Sequence, residues 1–285
     1  MPLLGHPPIS ADIYDWIAEL KSDQWVLDVG SGEGSFPGAE FCCHWLAVDE
    51  DLTTFTTAVR YNRVFGGSHQ LPVRDGSIDL LICHHALEHL VRLEESLGEM
   101  ARVLKRGGRC LISVPNGYGF CDAVYRFVFS GGGHVNRFRK EEVIRLVEQR
   151  LRVHLVAWQK LHSSFVYLHK LAEFLQTGPR GLPRRQKWIG WLPRGSIGLV
   201  QRTLYAGTRI LDRWLGTDLS VYGWAFFFAG LPVEPVMEQP AFQNVCIYCG
   251  TGQPASSARR TGRWTCCCEN CSRNYPFTRP FRGGV

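Results

Sequence analysis

Residues 25–34 read Trp-Val-Leu-Asp-Val-Gly-Ser-Gly-Glu-Gly, and this stretch decides the fold. Five mostly apolar, β-forming residues run without a break into a glycine-rich turn. A short continuous run of this kind reads as a buried strand. Glycine permits both the tight turn and the close approach of backbone to a ligand that such a junction provides. By itself the junction serves a dinucleotide as well as any other nucleotide-like ligand. The spacing is G-x-G-x-G rather than G-x-G-x-x-G, which argues against a nicotinamide dinucleotide. Residues 46–48 read as a second short strand ending at Asp49, where a carboxylate can accept both hydroxyls of a ribose.

Outward from this junction, strands and helices alternate. Ser10 is placed to cap a helix over 11–21. The turn Asp75-Gly76 leads into a strand over 78–83. Helical periodicity over 93–104 stops at Lys105-Arg-Gly-Gly108, a basic last turn followed by glycine. A strand over 110–114 is ended by Pro115, and a helix follows over 140–150. This order predicts an α/β protein with a mostly parallel, doubly wound sheet. Two further β-rich stretches, 152–158 and 221–228, are separated by about sixty residues. In that gap Ile197, Val200, Leu204, Leu211 and Trp214 share one helical face, opposite Arg202, Arg209 and Arg213. The expected organisation is one domain over 1–240, with an insertion over 160–220 acting as lid or surface anchor, and a separate small unit over 241–285.

The sequence resembles the class I S-adenosylmethionine (SAM) dependent methyltransferases, especially the small-molecule group that includes the ubiquinone and menaquinone biosynthesis enzymes. The residues that carry the resemblance are VLDVGSGEG (26–34), AVDED (47–51), LPVRDGSIDLLICHHALEHL (71–90), LGEMARVLKRGGRCLISVPN (97–116) and GHVNRFRKEEVIRLVE (133–148), collinear with the family. The resemblance implies a seven-stranded Rossmann-like sheet and SAM as cofactor. It implies that Asp28, Gly30, Gly32 and Gly34 cradle the methionine and ribose part. Asp49 would bind the ribose hydroxyls, Ser68, His69 and Leu71 would meet the adenine, and His84 would line the methionine side facing the acceptor. Gly67 stands where many relatives have an acid for the adenine amino group. A hydroxyl acceptor needs a base, and His84 and His134 are the candidates. Asn136 and Arg137 could orient the acceptor. His85 and His89 read as partly exposed helix histidines.

Eleven cysteines, six of them in the last forty residues, do not make a secreted disulfide framework. Cys42, Cys43, Cys83, Cys110 and Cys121 lie among apolar residues and read as reduced core thiols. Cys246, Cys249, Cys268 and Cys271 form two C-x2-C pairs, the pattern of a four-thiolate zinc ribbon, with Cys266 or Cys267 as possible replacements for Cys268. The ending resembles the small zinc-ribbon activator subunits of tRNA, rRNA and release-factor methyltransferases. Residues 175–215 carry eight Lys/Arg and one acid, and residues 241–285 carry six and one. Such segments favour anionic partners, either a membrane surface or RNA. No segment is apolar over the roughly 20 residues needed to span a bilayer. The expectation is therefore a cytoplasmic enzyme, peripheral to the membrane if the insertion is an anchor, acting on a small-molecule, lipid-linked or saccharide acceptor. RNA or protein methylation and a non-catalytic scaffold are the competing expectations.

Overall fold

The computed structural model describes residues 13–32, 34–35, 42–51, 62–128, 133–163, 165, 168 and 194–230, and beyond residue 230 only a few strands. Seven strands form one sheet: β1 (Trp25–Val29), β2 (His44–Asp49), β3 (Asn62–Phe65), β4 (Ile78–His84), β5 (Leu104–Pro115), β6 (His154–His162) and β7 (Val221–Ala229). Their order across the sheet is β3-β2-β1-β4-β5-β7-β6. Strands β1 to β5 pair parallel with one another, and β7 runs antiparallel to both β5 and β6. The expected seven-stranded Rossmann-like sheet is thus present, with one reversed strand.

The central strands are apolar throughout because both faces are covered. On one face, Leu27, Leu81, Cys83, Ile112 and Phe226 pack with α2 (Leu93–Val103) and α4 (Lys140–Leu151) through Leu97, Met100, Val143 and Val147. On the other, Val26, Leu80, Ile82 and Phe227 pack with α1 (Ile13–Ala18) through Ile13, Trp16 and Ile17. Phe227 meets the edge of Trp16 at 5.1 Å between ring centroids.

A third cluster lies at one end. Helix α3 (Phe120–Val128) and helix α5 (Arg194–Leu215) meet there through Cys121, Val124, Ile197, Leu204 and Tyr205, with Phe165, Leu168 and Tyr222 between them. Helix α5 belongs to the long β6–β7 connection. Its buried residues are Ile197, Gln201 and Thr208, with Leu204 and Tyr205 half-buried beside them. Val200, Leu211 and Trp214, which share a predicted face with Ile197, are instead exposed, as are Leu199, Ile210 and Leu215. The helix therefore has two apolar sides, one packed and one bare.

Two boundaries differ from expectation. The residues read as the last turn of α2 and its glycine cap belong to β5: Leu104 already pairs with Ile78, the next pair is Leu80 with Arg109, and residues 105–108 loop out between them. Ion pairs anchor this bulge, from Lys105 Nζ to Asp79 at 2.8 Å and from Arg109 Nη1 to Glu19 at 2.6 Å. Strand β6 starts at His154 because Arg152 takes a left-handed conformation (φ 54°) that terminates α4. Of the thiols read as core, Cys83, Cys110 and Cys121 are buried, Cys43 is half-buried and Cys42 is exposed.

Candidate active site

The glycine turn, Asp49 and the loop after β4 lie at the carboxyl ends of β1, β2 and β4, the end at which open α/β sheets bind ligands. The glycine turn after β1 is bent back over β2, with Gly30 N and Ser31 N both donating to Val48 O, at 2.8 and 3.2 Å. Gly30 (φ 67°) and Gly32 (φ 52°) adopt the left-handed conformation that glycine takes without strain. A Cβ on Gly30 would come within 2.5 Å of the Ala86 Cβ, so the turn fits tightly against the loop after β4. Among the described residues, nothing lies within 4 Å of where a Cβ on Gly32 would stand.

Three polar groups belong to this turn or bond to it. Asp49, at the end of β2, accepts from Gly32 N through Oδ2 (2.7 Å) and from Asp51 N through Oδ1 (2.8 Å). Each oxygen keeps a further lone pair for a ligand hydroxyl. Ser31 Oγ is buried and has no hydrogen-bond partner among the described residues. Asp28 is fully buried and holds the far end of the turn, accepting from Ser35 N at 3.3 Å and from Ser35 Oγ at 3.1 Å. Burial pushes the Asp28 carboxyl up to about 7, against the lowering effect of the Ser35 hydrogen bonds. Asp28 thus braces the loop with its side chain. Gly34 N closes the turn on Ser31 O at 2.7 Å.

The residues expected around an adenine are less open. Ser68 Oγ is buried against Ser96 Oγ at 2.9 Å, and Leu71 is buried with its N–H donating to Glu99 Oε2 at 2.8 Å. His69 Nδ1 stands 3.8 Å from Glu50 Oε1. Gly67 packs beside both: a Cβ there would come within 2.5 Å of the His69 ring and 3.0 Å of Glu50 Oε1.

Beyond β4 the chain builds a histidine-rich wall. His84 Nδ1 lies 2.7 Å from Ser113 Oγ. Its enclosure, with His85 beside it, holds the His84 ring well below the usual histidine range, so the ring is neutral and weakly basic. His85 is not helical: it sits at φ 51°, a costly conformation outside glycine. Its N–H donates to Ser113 O at 3.0 Å, and its Nε2 lies 3.0 Å from Tyr222 Oη. A single 3-10 turn, Leu87–His89, follows. Glu88 in that turn is only 2% exposed. From the other side come His134, stacked on Tyr125 (5.1 Å) and set edge-on to His89 (4.9 Å), and Asp122 of α3, whose Oδ1 lies 3.0 Å from His134 Nδ1. Asn136 Nδ2 donates to Leu87 O (3.0 Å) and Leu90 O (2.7 Å). Arg137 lies over the Tyr118 ring at 5.7 Å.

Sequence reasoning reached His84 and His134 but missed Asp122, Glu88 and Tyr222. Asp122 lies in no motif, and its pairing with His134 is a contact between α3 and the segment before α4 that local pattern does not encode. The zinc-ribbon residues Cys246, Cys249, Cys268 and Cys271 lie outside the described residues. The strands around them are described: Asn244–Val245 pairs with Gly252–Gln253, and Thr265–Cys267 pairs antiparallel with both Arg259–Gly262 and Asn274–Pro276. Cys266 and Cys267 are therefore strand residues.

Residues 27–112 match the family model described as a methyltransferase domain. This stretch is thus similar to a methyltransferase domain. Similar proteins include a malonyl-acyl-carrier-protein O-methyltransferase of Methylococcus capsulatus, 32% identical over 142 residues, covering 45% of this chain and 50% of the relative. An uncharacterised methyltransferase of Bacillus subtilis is 29% identical over 161 residues, covering 52% and 58%. The chain thus spans about half the length of the curated relatives it matches. Among solved structures, a SAM-dependent methyltransferase from Archaeoglobus fulgidus superposes with a TM-score of 0.50 at 18% identity, over 76% of this chain and 90% of that one. This likeness shows the shared fold. In this chain the glycine turn, Asp49 and the loop after β4 stand at the same end of the sheet.

Proposed function

We propose that the protein transfers a methyl group from SAM to an oxygen of a small-molecule, lipid-linked or saccharide acceptor. The observation that carries this is that, among the described residues, nothing lies within 4 Å of a Cβ on Gly32, whose N–H donates to Asp49 Oδ2 next to a buried Ser31 Oγ with no partner among those residues. Bound SAM supplies an electrophilic methyl group on a sulfonium. The chain's own residues do the rest. The turn 30–34 and Asp49 fix the position of the cofactor, and a fixed pair of reactants loses little further entropy on reaction. Asp122 orients the His134 ring through Nδ1, leaving Nε2 as the nitrogen able to take a hydroxyl proton. Burial holds His84 neutral and makes it a weak base.

The acceptor side favours an apolar or lipid-linked compound. Tyr118, Phe120, Phe127 and Val135 are exposed on the segments that carry Asp122 and His134. Arg126 ties those segments together by donating to His134 O at 3.2 Å. Helix α5 packs beside them and presents Leu199, Val200, Ile210, Leu211, Trp214 and Leu215 outward, with Arg202 and Arg213. This is the composition of a helix that lies in a headgroup layer. No helix among the described residues is long and apolar enough to cross a membrane.

The two C-x2-C pairs each follow directly on the first strand of an antiparallel pair, which supports a ribbon holding one zinc ion through Cys246, Cys249, Cys268 and Cys271. Elemental analysis of freshly prepared protein should find that zinc, and Cys249→Ser should lose it. Zinc-free protein with intact thiols would refute the ribbon. The basic balance of 241–285 supports a second reading, docking of the ribbon on RNA. One assay separates the readings: incubation with methyl-labelled SAM and lipid, saccharide and RNA fractions in turn. Label in the lipid or saccharide fraction, lost in His134→Ala, supports the proposal. Label confined to RNA or protein would overturn it.

A further inference from the structure

We propose that Glu88, His89 and His134 form a binding site for a divalent transition-metal ion on the acceptor side of the site. One carboxylate oxygen and one ring nitrogen from each histidine lie within 4.8 Å of one another. Metal–nitrogen and metal–oxygen bonds of about 2.0–2.2 Å separate neighbouring ligand atoms by roughly 3–4 Å, so small side-chain rotations close the site.

The surroundings are those of ligands already prepared. His89 Nδ1 lies 3.1 Å from Gly133 O, and a carbonyl oxygen can only accept. His134 Nδ1 faces the Asp122 carboxylate at 3.0 Å. Both rings therefore carry their proton on Nδ1 and keep a lone pair on Nε2. This outer-shell arrangement, one ring nitrogen bonded to a carbonyl or carboxylate and the other free to ligate, is typical of metal-bound histidine. Glu88 supplies the independent observation. Its Oε1 stands 3.5 Å from His85 Nδ1, while its Oε2 is buried and has no hydrogen-bond partner among the described residues. A carboxylate oxygen removed from water with no partner is costly, and a cation would satisfy it.

The frame is rigid without help from the ligand atoms. Val135 N and Asn136 N each donate to Glu88 O at 2.9 Å, and Asn136 Nδ2 bridges Leu87 O and Leu90 O. These bonds fasten the segment bearing His134 to the turn bearing Glu88 and His89. Two imidazoles and one carboxylate suit Zn2+, Fe2+ or Co2+ better than Mg2+ or Ca2+, and three ligands leave positions open. In the methyltransferase reading, on which this role rests, an open position would take the acceptor oxygen. A hydroxyl bound there is acidified and releases its proton to solvent. With the ion bound, His134 Nε2 would be a ligand, and its role as the base belongs to the metal-free protein; His134→Ala removes both.

The test is a cobalt titration of the full chain after dialysis against a chelator. Co2+ held by nitrogen and oxygen gives weak visible ligand-field bands without the sulfur charge-transfer band of cysteine-bound cobalt, which separates this site from the C-terminal cysteines. One such equivalent is expected in the wild type. It should be lost in His89→Ala and in Glu88→Gln, and weakened about 10- to 100-fold in Asp122→Asn, the usual effect of removing an outer-shell partner. Binding of S-adenosylhomocysteine, measured on the same samples, reports both folding and the methyltransferase reading. Cobalt bound without S-adenosylhomocysteine would sustain the metal site and overturn that reading. S-adenosylhomocysteine bound with no nitrogen–oxygen cobalt, or cobalt unchanged in His89→Ala and Glu88→Gln, would overturn the metal site.

Discussion

Asp28 is sealed beneath the glycine turn, and its environment gives the protein a pH signature. Burial raises its carboxyl from 3.8 to about 7, with Asp49 adding to the rise and the Ser35 bonds and Arg63 opposing it. Between about pH 4 and pH 7 the folded chain keeps a proton that the unfolded chain releases. Stability from this group therefore falls as pH rises through that window. Asp28→Asn removes the titration. Urea unfolding of both proteins at about pH 5 and pH 8 should show the wild type losing more stability than the variant, and parallel losses would contradict the assignment. The sequence marked Asp28 as a site residue through its motif. It did not reveal that the side chain turns inward to Ser35, because residue 35 lies past the turn and its reach depends on the turn's geometry. His85 was misread for a similar reason: a strained φ follows from the hydrogen bonds to Ser113 and Tyr222, and Tyr222 is 137 residues away in sequence.

At the scale of elements, α5 shows what periodicity can and cannot tell. Its apolar positions are legible as helical, but the pattern does not say which of them are covered. Ile197 is 8% exposed and Trp214 is 80% exposed, though both fall on the predicted face. Ile197→Ala should cost about 2–4 kcal/mol of stability, the range for truncating a buried aliphatic side chain. Trp214→Ser should change stability by less than about 0.5 kcal/mol. Equal losses in chemical denaturation would show that the bare side is packed after all. Arg209 also departs from the polar face assigned to it: it is half-buried, with its guanidinium 5.3 Å from the Tyr205 ring. The start of β5 was missed because Lys105-Arg-Gly-Gly108 carries helix-ending residues, whereas the ion pairs to Asp79 and Glu19 that hold the bulge are long-range.

For the molecule as a whole, the alternation of strands and helices along the chain was legible from apolar runs and turns, since each central strand is buried on both faces; β3 was not, because Asn62–Phe65 is a short edge strand with no fully buried residue. The reversal of β7 rests on pairing across about sixty residues of intervening chain, which local pattern does not encode. The uneven charge is a whole-molecule property with its own consequence. If α5 rests on a lipid surface, the protein should co-sediment with anionic vesicles, high salt should weaken this, and Arg202→Glu with Arg213→Glu should abolish it. Retention after an alkaline carbonate wash would contradict a peripheral mode. The central claim, that the glycine turn and Asp49 hold SAM, is tested most directly by titration calorimetry of the full chain with SAM. The account predicts one site per chain, no binding in Gly32→Val because a branched side chain at this left-handed position takes the room the ligand needs, and a loss of about 1.5–3 kcal/mol in Asp49→Ala, the scale of charge-assisted hydrogen bonds. Absence of binding by the wild type, or wild-type affinity in Gly32→Val, would contradict it.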